Sequence, residues 1–547
     1  MTHYAAFRAV TRDTPRRSVS LALAGILMLA LPVGPAGADR GPLGEIGKGV
    51  SGALNHFVGL GSEDVDAATI SLVGPRESGV SGQDAYKNLS LDQCIRIALT
   101  QYPPLINQRE SLHAAESAYR AARGDFLPVL DLNAAQQYGQ QIPNTVDQGE
   151  WFAGFASASV TQNFKSGGSL SVVGRSDRDD RFGDGQEFLS TVSVDLEQPL
   201  LEGFGRDFAA ANLRIAKINM EITRYGLTDF FRSHILRVTQ QYHSVFERER
   251  LLQVQEESLV RARESLRRLK ALVAEGEVAE IDIATQELQV AEFEESATQA
   301  LNSYNRELIG LRLLLGVPPE QIISLARSAE LEINFELDEP AFTPRVLDVE
   351  EAKKQALARR LDYLQEKRAL EIREIAVATS RNVLLPDLSF FASLGLTDNG
   401  SRWKNTTHFN QGDWVTGLQV QVPFGLVRER EQYTQAKISL RQAKNSFEQS
   451  RRRILNEVEN TVRDVETFEL TLRIAYRRVK NAQLSAAGAE VMYEIGEINV
   501  FDRSDAQAKL SSAEANYVSL FLNYRDALDT LDFVIGEPVE ERYGVSL

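Results

Sequence analysis

Between Arg206 and Leu315 the chain contains no proline. A helix over Arg206 to Val273 alone would be about 100 Å long at ~1.5 Å per residue. A helix that long calls for coiled-coil or repeat packing rather than an ordinary globular core. Leu259, Ala262, Leu266, Leu269 and Val273 follow 3-4-3-4 spacing, a heptad seam. Glu275-Gly276-Glu277 marks a reversal, because Gly276 can take the backbone angles of a tight turn. Ile281, Ala284, Leu288 and Ala291 then carry a returning seam. Such a hairpin cannot bury apolar surface on both sides alone, so it must pack on other hairpins.

The plan appears twice. Leu385-Pro386 repeats Leu127-Pro128 at an offset of 258 positions, and at the same offset Leu347 to Ala352 meets Leu89 to Cys94. The second hairpin turns at Ile495-Gly496-Glu497, 220 positions after the first, and Gly536 repeats Gly316 at that offset. Val479, Ala482, Ala486, Ala489 and Tyr493 form the second seam. Two copies of one supersecondary unit explain these matches.

Between helices the period changes from helical to two. Leu130, Leu132, Ala134 and Tyr138 share one face of a strand, with Asp131, Asn133 and Gln137 on the other. Further strands are expected at Phe152 to Phe164, Ser169 to Asp177, Phe188 to Gln198, Leu388 to Leu396 and Val415 to Val422. Pro128 and Pro386 precede strands; Pro199 and Pro423 end them. These strands have the length that crosses a tilted bilayer, about nine to eleven residues, and the weak alternation of barrel strands. Trp151, Phe152, Phe155, Phe164, Phe390, Phe391, Trp403 and Trp414 lie in or beside them. One chain's strands are too few to close a barrel, so several chains must contribute. The fold class expected is mainly α with membrane β, with long helical hairpins, a β-barrel shared between subunits and two internal repeats. The first repeat carries extra strand material, Phe152 to Asp177, which either adds a hairpin to the barrel or forms an extracellular feature.

The domain organisation expected is a signal peptide over 1–38, a linker over 39–88 with one short helix near Leu54 to Leu60, and a first repeat over 89–317. A linker over 318–345, with a short strand at Leu331 to Leu337, leads to a second repeat over 346–537 and a tail over 538–547. Arg8, Arg12, Arg16 and Arg17, the apolar run Val19 to Leu31 and Ala36-Gly37-Ala38 have the order of a secretory signal, with cleavage expected after Ala38. Ser90, three residues before Gln93, opens a helix with a capping box. Tyr102-Pro103-Pro104 breaks that helix, which otherwise runs to about Gly124. No later run is long and apolar enough for a transmembrane helix. A net charge of −16 argues against a nucleic-acid partner. One cysteine, Cys94, excludes an intramolecular disulfide and reads as a core residue.

The residues resemble the TolC-like outer-membrane efflux proteins over about Leu89 to Gly536. The resemblance rests on the duplicated plan, the two Leu-Pro pairs, Gln198-Pro199-Leu200, Val422-Pro423-Phe424, and Tyr493-Glu494-Ile495-Gly496 followed by Asp502 and Asp505. It implies a homotrimer in outer-membrane lipid, extending into the periplasm, with no enzymatic activity. It also implies docking to a periplasmic adaptor (a membrane fusion protein) and an inner-membrane pump, proton-driven or ATP-driven, for multidrug efflux or type I secretion. Asp502 and Asp505, three apart, would repeat in a trimer as acidic rings at the entrance, and the alternative is a solvated acidic face. Asp282 matches the family's acidic residue in the first hairpin and Tyr493 its latch tyrosine, while Ile498 stands where the latch arginine would be. Closure on Ile498 and Val500 is the substitute expected.

No catalytic, cofactor-binding or metal-binding set stands out. None of the six histidines forms a His-x-x-x-His pair, and His234 and His243, nine apart, fall on opposite helix faces. Gly203-Phe204-Gly205 is a strand-to-helix turn rather than a dinucleotide loop. A periplasmic coiled-coil scaffold or tether without channel activity is the alternative function.

Overall fold

The computed structural model describes residues 86–140, 150–180, 187–275, 280–326, 348–403, 406, 409, 411–498 and 500–538. The expected signal peptide, the short helix near Leu54, the strand at Leu331 to Leu337 and the turn at Gly276 lie outside them. The described residues divide into a strand unit, within Phe126–Phe204 and Pro386–Val422, and a helical unit.

In the strand unit, described residues form one six-stranded sheet. The strands are β1 (Val129–Gln140), β2 (Glu150–Asn163), β3 (Ser169–Asp180), β4 (Glu187–Pro199), β5 (Asp387–Gly400) and β6 (Gln411–Gln421), paired in that order. Every pair is antiparallel. Pro128 and Pro386 stand immediately before β1 and β5, Pro199 is the last residue of β4, and Pro423 lies just past β6. Proline lacks the N–H a ladder needs, so it suits strand ends. The extra strand material of the first repeat is the hairpin β2–β3. It lies inside the sheet, between β1 and β4, which settles its two sequence readings in favour of the sheet.

The helical unit contains α1 (Leu91–Gln101), α2 (Pro103–Gly124), a short α3 (Arg206–Ala209), α4 (Ala211–Ala274) and α5 (Ile281–Leu315). After them come α6 (Val349–Arg359), α7 (Leu361–Asn382), α8 (Val427–Glu494) and α9 (Val500–Val534). Ser90 and Gln93 close the expected capping box at α1, and Pro103 opens α2. The long first helix is interrupted at Ala210, whose backbone leaves the helical region. No described helix is long and apolar enough to cross a membrane, which leaves the strands untouched as candidates.

The two halves of the helical unit are built alike. Ile95, Leu99 and Leu105 pack with Ile235, Val238 and Tyr242 of α4 and Leu311 and Leu315 of α5. Ala352 and Ala356 of α6 pack with Ile454, Val458 and Leu472 of α8 and Leu531 of α9. Cys94 is fully buried in the first core, and burial pushes its thiol up to about 12, so it stays protonated and unreactive. Each half is keyed by a left-handed glycine, Gly316 after α5 and Gly536 after α9. In each case the amide two residues past the last turn bonds back into the helix, Val317 N–H to the Arg312 carbonyl and Glu537 N–H to that of Asp532. A Cβ on Gly316 would lie 2.7 Å from the Gln101 carbonyl oxygen, and one on Gly536 would lie 3.0 Å from the Arg359 carbonyl carbon. Gln101 and Arg359 end α1 and α6, so the same close approach occurs at matching places in both repeats.

The seams require one correction. In α4 the buried line is Ser258, Ala262, Ser265 and Leu269, with Leu259, Leu266 and Val273 on its flank. In α5 the expected returning seam faces outward: Ile281 is 73% and Leu288 62% exposed, and Ala284 and Ala291 are exposed too. The line facing inward runs through Ile283, Gln286, Val290 and Phe293. This helix carries two apolar stripes, and periodicity cannot say which one meets the chain's own neighbour. The second seam is placed as expected, with Val479 and Ala486 buried and Ala482, Ala489 and Tyr493 half-buried.

Candidate functional site

Two places carry the residues that bear on function, one in each unit. The first is the tip of the second hairpin. Helix α8 ends at Glu494, and Gly496 at φ +79° reverses the chain, with its own N–H bonded to the Tyr493 carbonyl and the Glu497 N–H to that of Met492. Asp502 lies in the first turn of α9, where a carboxylate complements the helix N-terminus. Asp502 and Asp505 are both exposed, and Lys509 sits 2.5 Å from Asp505, one turn on. The charge of Asp505 is thus partly compensated within the chain. Asp282 is half-buried in the first turn of α5.

Tyr493 does have an arginine. Arg503, almost fully buried, holds its guanidinium 4.3 Å from the centre of the Tyr493 ring and 3.3 Å from Glu490. Gln507 donates a second bond to Glu490 at 3.2 Å. The arrangement spans the turn within one hairpin. Ile498 is half-buried, and the side chain of Val500 lies outside the described residues, so the apolar closure expected there stays a proposal. The signal in the chain was weak: Arg503 lies one turn into α9 and Tyr493 in the last turn of α8, on opposite sides of the same reversal. Between hairpins, Gln289 donates to the Ser504 hydroxyl at 3.3 Å and Arg261 to that of Ser511 at 2.9 Å. Replacing Arg503 with leucine removes an ion pair and a cation–π contact worth about 1–2 kcal/mol together. Amide exchange over 490–507 should then quicken about tenfold, and unchanged exchange would show that the stack does not hold the tip.

The second place is the sheet. Residues directly opposite on paired strands share a face. One row reads Leu130, Val160, Val172, Val194, Leu394 and Trp414, apolar across all six strands. On the other face a row reads Asn133, Ser157, Arg175, Thr191, Thr397 and Gln411, polar throughout. Asp195 on that polar face accepts from Ser193 at 2.7 Å and from Ser393 at 2.5 Å, and Arg175 pairs with Asp177 at 2.6 Å. The side chains of Trp151 and Phe152 lie outside the described residues.

Elsewhere, α4 and α9 bring His243, Asp526 and Asp529 together, with ligand-type atoms within 4.8 Å of one another. His243 Nδ1 and Asp526 Oδ1 lie 2.6 Å apart. His243 and His234 are both buried, on different sides of α4. His234 stacks on Tyr102 at 4.0 Å, while His243 faces α9.

Residues 347–537, the second repeat, match the family model described as outer membrane efflux protein. The second repeat therefore carries that family's sequence pattern. No curated protein matches the chain by sequence. Among solved structures, the chain is similar to CusC, at 15% identity and a TM-score of 0.60, covering 83% of this chain and 93% of CusC. It is also similar to the outer-membrane channel OprN, at 19% identity and 0.58, covering 82% and 89%. The open state of the Neisseria gonorrhoeae outer membrane channel MtrE is a further likeness, at 15% and 0.58, covering 84% and 95%. The fold is therefore that of these outer-membrane channels.

Proposed function

We propose that the protein is a passive efflux duct: three copies share a β-barrel in the outer membrane and extend helical hairpins into the periplasm. Cargo is expelled by an inner-membrane pump, proton-driven or ATP-driven, through a periplasmic adaptor that meets the hairpin tips. The energy comes from those partners; the duct makes and breaks no bonds. The observation that carries this reading is the sheet with one row apolar and another polar across all six strands. A sheet facing lipid on one side and water on the other needs that division. A soluble tether has no use for it.

At the tip, Asp502 and Asp505 are the proposed entrance rings, with Tyr493 held by Arg503 beside them. Carboxylates repeated about a narrow axis concentrate cations and repel anions. Asp282, at the start of α5, is proposed to add to the same acidic entrance from the first hairpin. Gly276 and Gly496 are the proposed turning points, and Pro128, Pro199, Pro386 and Pro423 the proposed boundaries between strands and helical segments.

The purified protein should fractionate with outer membrane, run as a heat-sensitive trimer and conduct in a planar bilayer. Multivalent cations should block it from the tip side. In Asp502→Asn with Asp505→Asn the blocking concentration should rise at least about tenfold. A protein that neither partitions nor conducts is the tether, and an unchanged block in the double variant removes the rings while leaving the duct.

A further inference from the structure

The six-stranded sheet ends in β1 and β6, and among the described residues no strand pairs with the outer side of either. Each therefore offers backbone N–H and C=O groups along that side. Exposed edges are usually blunted by lysine, proline or a bulge. β1 (VLDLNAAQQYGQ) and β6 (QGDWVTGLQVQ) contain no proline and no basic residue. Both pair in continuous register with their one neighbour. They are of near-equal length, 12 and 11 residues. Because the strand number is even and every pairing is antiparallel, β1 and β6 run in opposite directions. A second copy can therefore continue the meander by setting its β1 beside this copy's β6. The apolar side chains at the two edges agree in face: Leu130 and Leu132 lie on the side that carries Trp414 and Leu418. Trp414 is 76% and Leu418 64% exposed in the single chain.

The internal repeat adds a second observation. The second repeat supplies two strands, β5 and β6, and the first supplies four. The surplus hairpin β2–β3 is not draped on an edge. It is paired along nearly its full length on both sides, to β1 and to β4. It therefore adds to the circumference rather than to a loop.

Within the shared barrel, we infer that the inserted hairpin β2–β3 is built into the wall, so that each copy contributes six strands and β6 of one meets β1 of the next. Resting on the trimeric duct proposed above, this gives a barrel of eighteen strands. Two strands from each repeat would have given twelve. Barrel diameter grows roughly in proportion to strand number, so the inserted hairpin widens the barrel about one and a half times. At that strand number a barrel encloses an open aqueous channel instead of being filled by side chains. The polar row through Asn133, Arg175 and Gln411 lines it, and the apolar row through Val172 and Trp414 meets lipid. The outer mouth of this duct then passes large hydrated cargo without selecting it, and any selection lies at the hairpin tips.

The test uses the full-length protein with Cys94 replaced by alanine. Leu132→Cys in β1 is combined in turn with Gly412→Cys, Trp414→Cys, Thr416→Cys, Leu418→Cys or Val420→Cys in β6. Within one copy β1 and β6 are five strand spacings apart along the sheet, about 24 Å, far beyond disulfide reach. One or two of the pairs should oxidise to covalent dimers and trimers, which can arise only between copies. In parallel, deletion of residues 141–180 removes β2 and β3 and leaves β1 and β4 still antiparallel. Cryomicroscopy in lipid should show trimers of both proteins, the wild-type barrel about one and a half times wider. If trimers form, no pair in the scan cross-links and the wild-type barrel is no wider than that of the deletion variant, the inference fails and the duct stands. If the wild type forms no trimer, both fail. Should the deletion variant not fold, the cross-links together with the strand count in the wild-type map decide the matter.

Discussion

Gly316→Ala should lower the stability of the helical unit by about 3 kcal/mol, far more than the same change at Gly496. Both glycines sit at left-handed φ, +70° and +79°. That conformation alone costs an L-residue about 1–2 kcal/mol. At Gly496 the new methyl meets nothing within 4 Å, so the backbone term is the whole cost. At Gly316 it would meet the Gln101 carbonyl oxygen at 2.7 Å and the Tyr102 Cα at 3.0 Å. Those atoms are backbone at the junction of α1 and α2 and cannot swing aside, so overpacking adds about 1–3 kcal/mol. Gly536→Ala should behave like Gly316→Ala, since its methyl would meet Arg359 Cβ at 2.9 Å and Arg360 N at 3.1 Å. Urea unfolding of the detergent-solubilised protein, followed by helical circular dichroism, gives the comparison. Equal losses at Gly316 and Gly496 would mean that the contact between repeat start and hairpin end contributes nothing.

Much of this architecture could be read from the residues, and the failures have physical causes. The strands were legible because alternation and flanking prolines agree, as in Val192-Ser193-Val194-Asp195-Leu196 before Pro199. The capping box at Ser90 and the break at Pro103 were legible because both are local chemistry. The inward face of α5 was not. Ile281 and Leu288 are as apolar as Ile283 and Val290, and which stripe meets α4 depends on the rotation of the whole helix. The interruption at Ala210 carries no proline or glycine and leaves no trace in the sequence. The place of β2–β3 between β1 and β4 depends on pairings between strands that periodicity does not report. At the tip, Arg503 reaches Tyr493 and Glu490 only because the two helices lie side by side there, a contact that spacing along the chain signals weakly.

Acidification from pH 7 to about 4 should destabilise the wild-type helical unit through His234, and His234→Phe should abolish that part of the loss. His234 is fully buried, stacked on Tyr102 at 4.0 Å in the core shared by α1, α4 and α5. Burial pushes its imidazolium pKa down to about 4; Arg237 acts in the same direction, and the Leu314 carbonyl opposes them. An unfolded chain protonates near the ordinary value, about 6.5. Above that pH both states are neutral and the stability is complete. As pH falls through 6.5 the unfolded state takes up a proton that the folded core refuses, and stability drops until the folded ring also protonates near 4. The shift corresponds to about 3 kcal/mol over this window. Other groups act oppositely: burial raises the carboxyl pKa values of Asp229, Glu514 and Asp529, with like charges on Asp362, Glu257 and Asp526 adding to it. Their unfavourable ionisation is relieved as pH falls, which masks part of the histidine effect in the wild type. The difference between wild type and His234→Phe removes those shared contributions, because phenylalanine keeps the stack but cannot titrate. Amide exchange over 231–246, measured for both proteins between pH 7 and 4 and corrected for intrinsic rates, should diverge progressively with acidification. Parallel curves would mean that the ring is charged in the folded core, in contradiction to its burial.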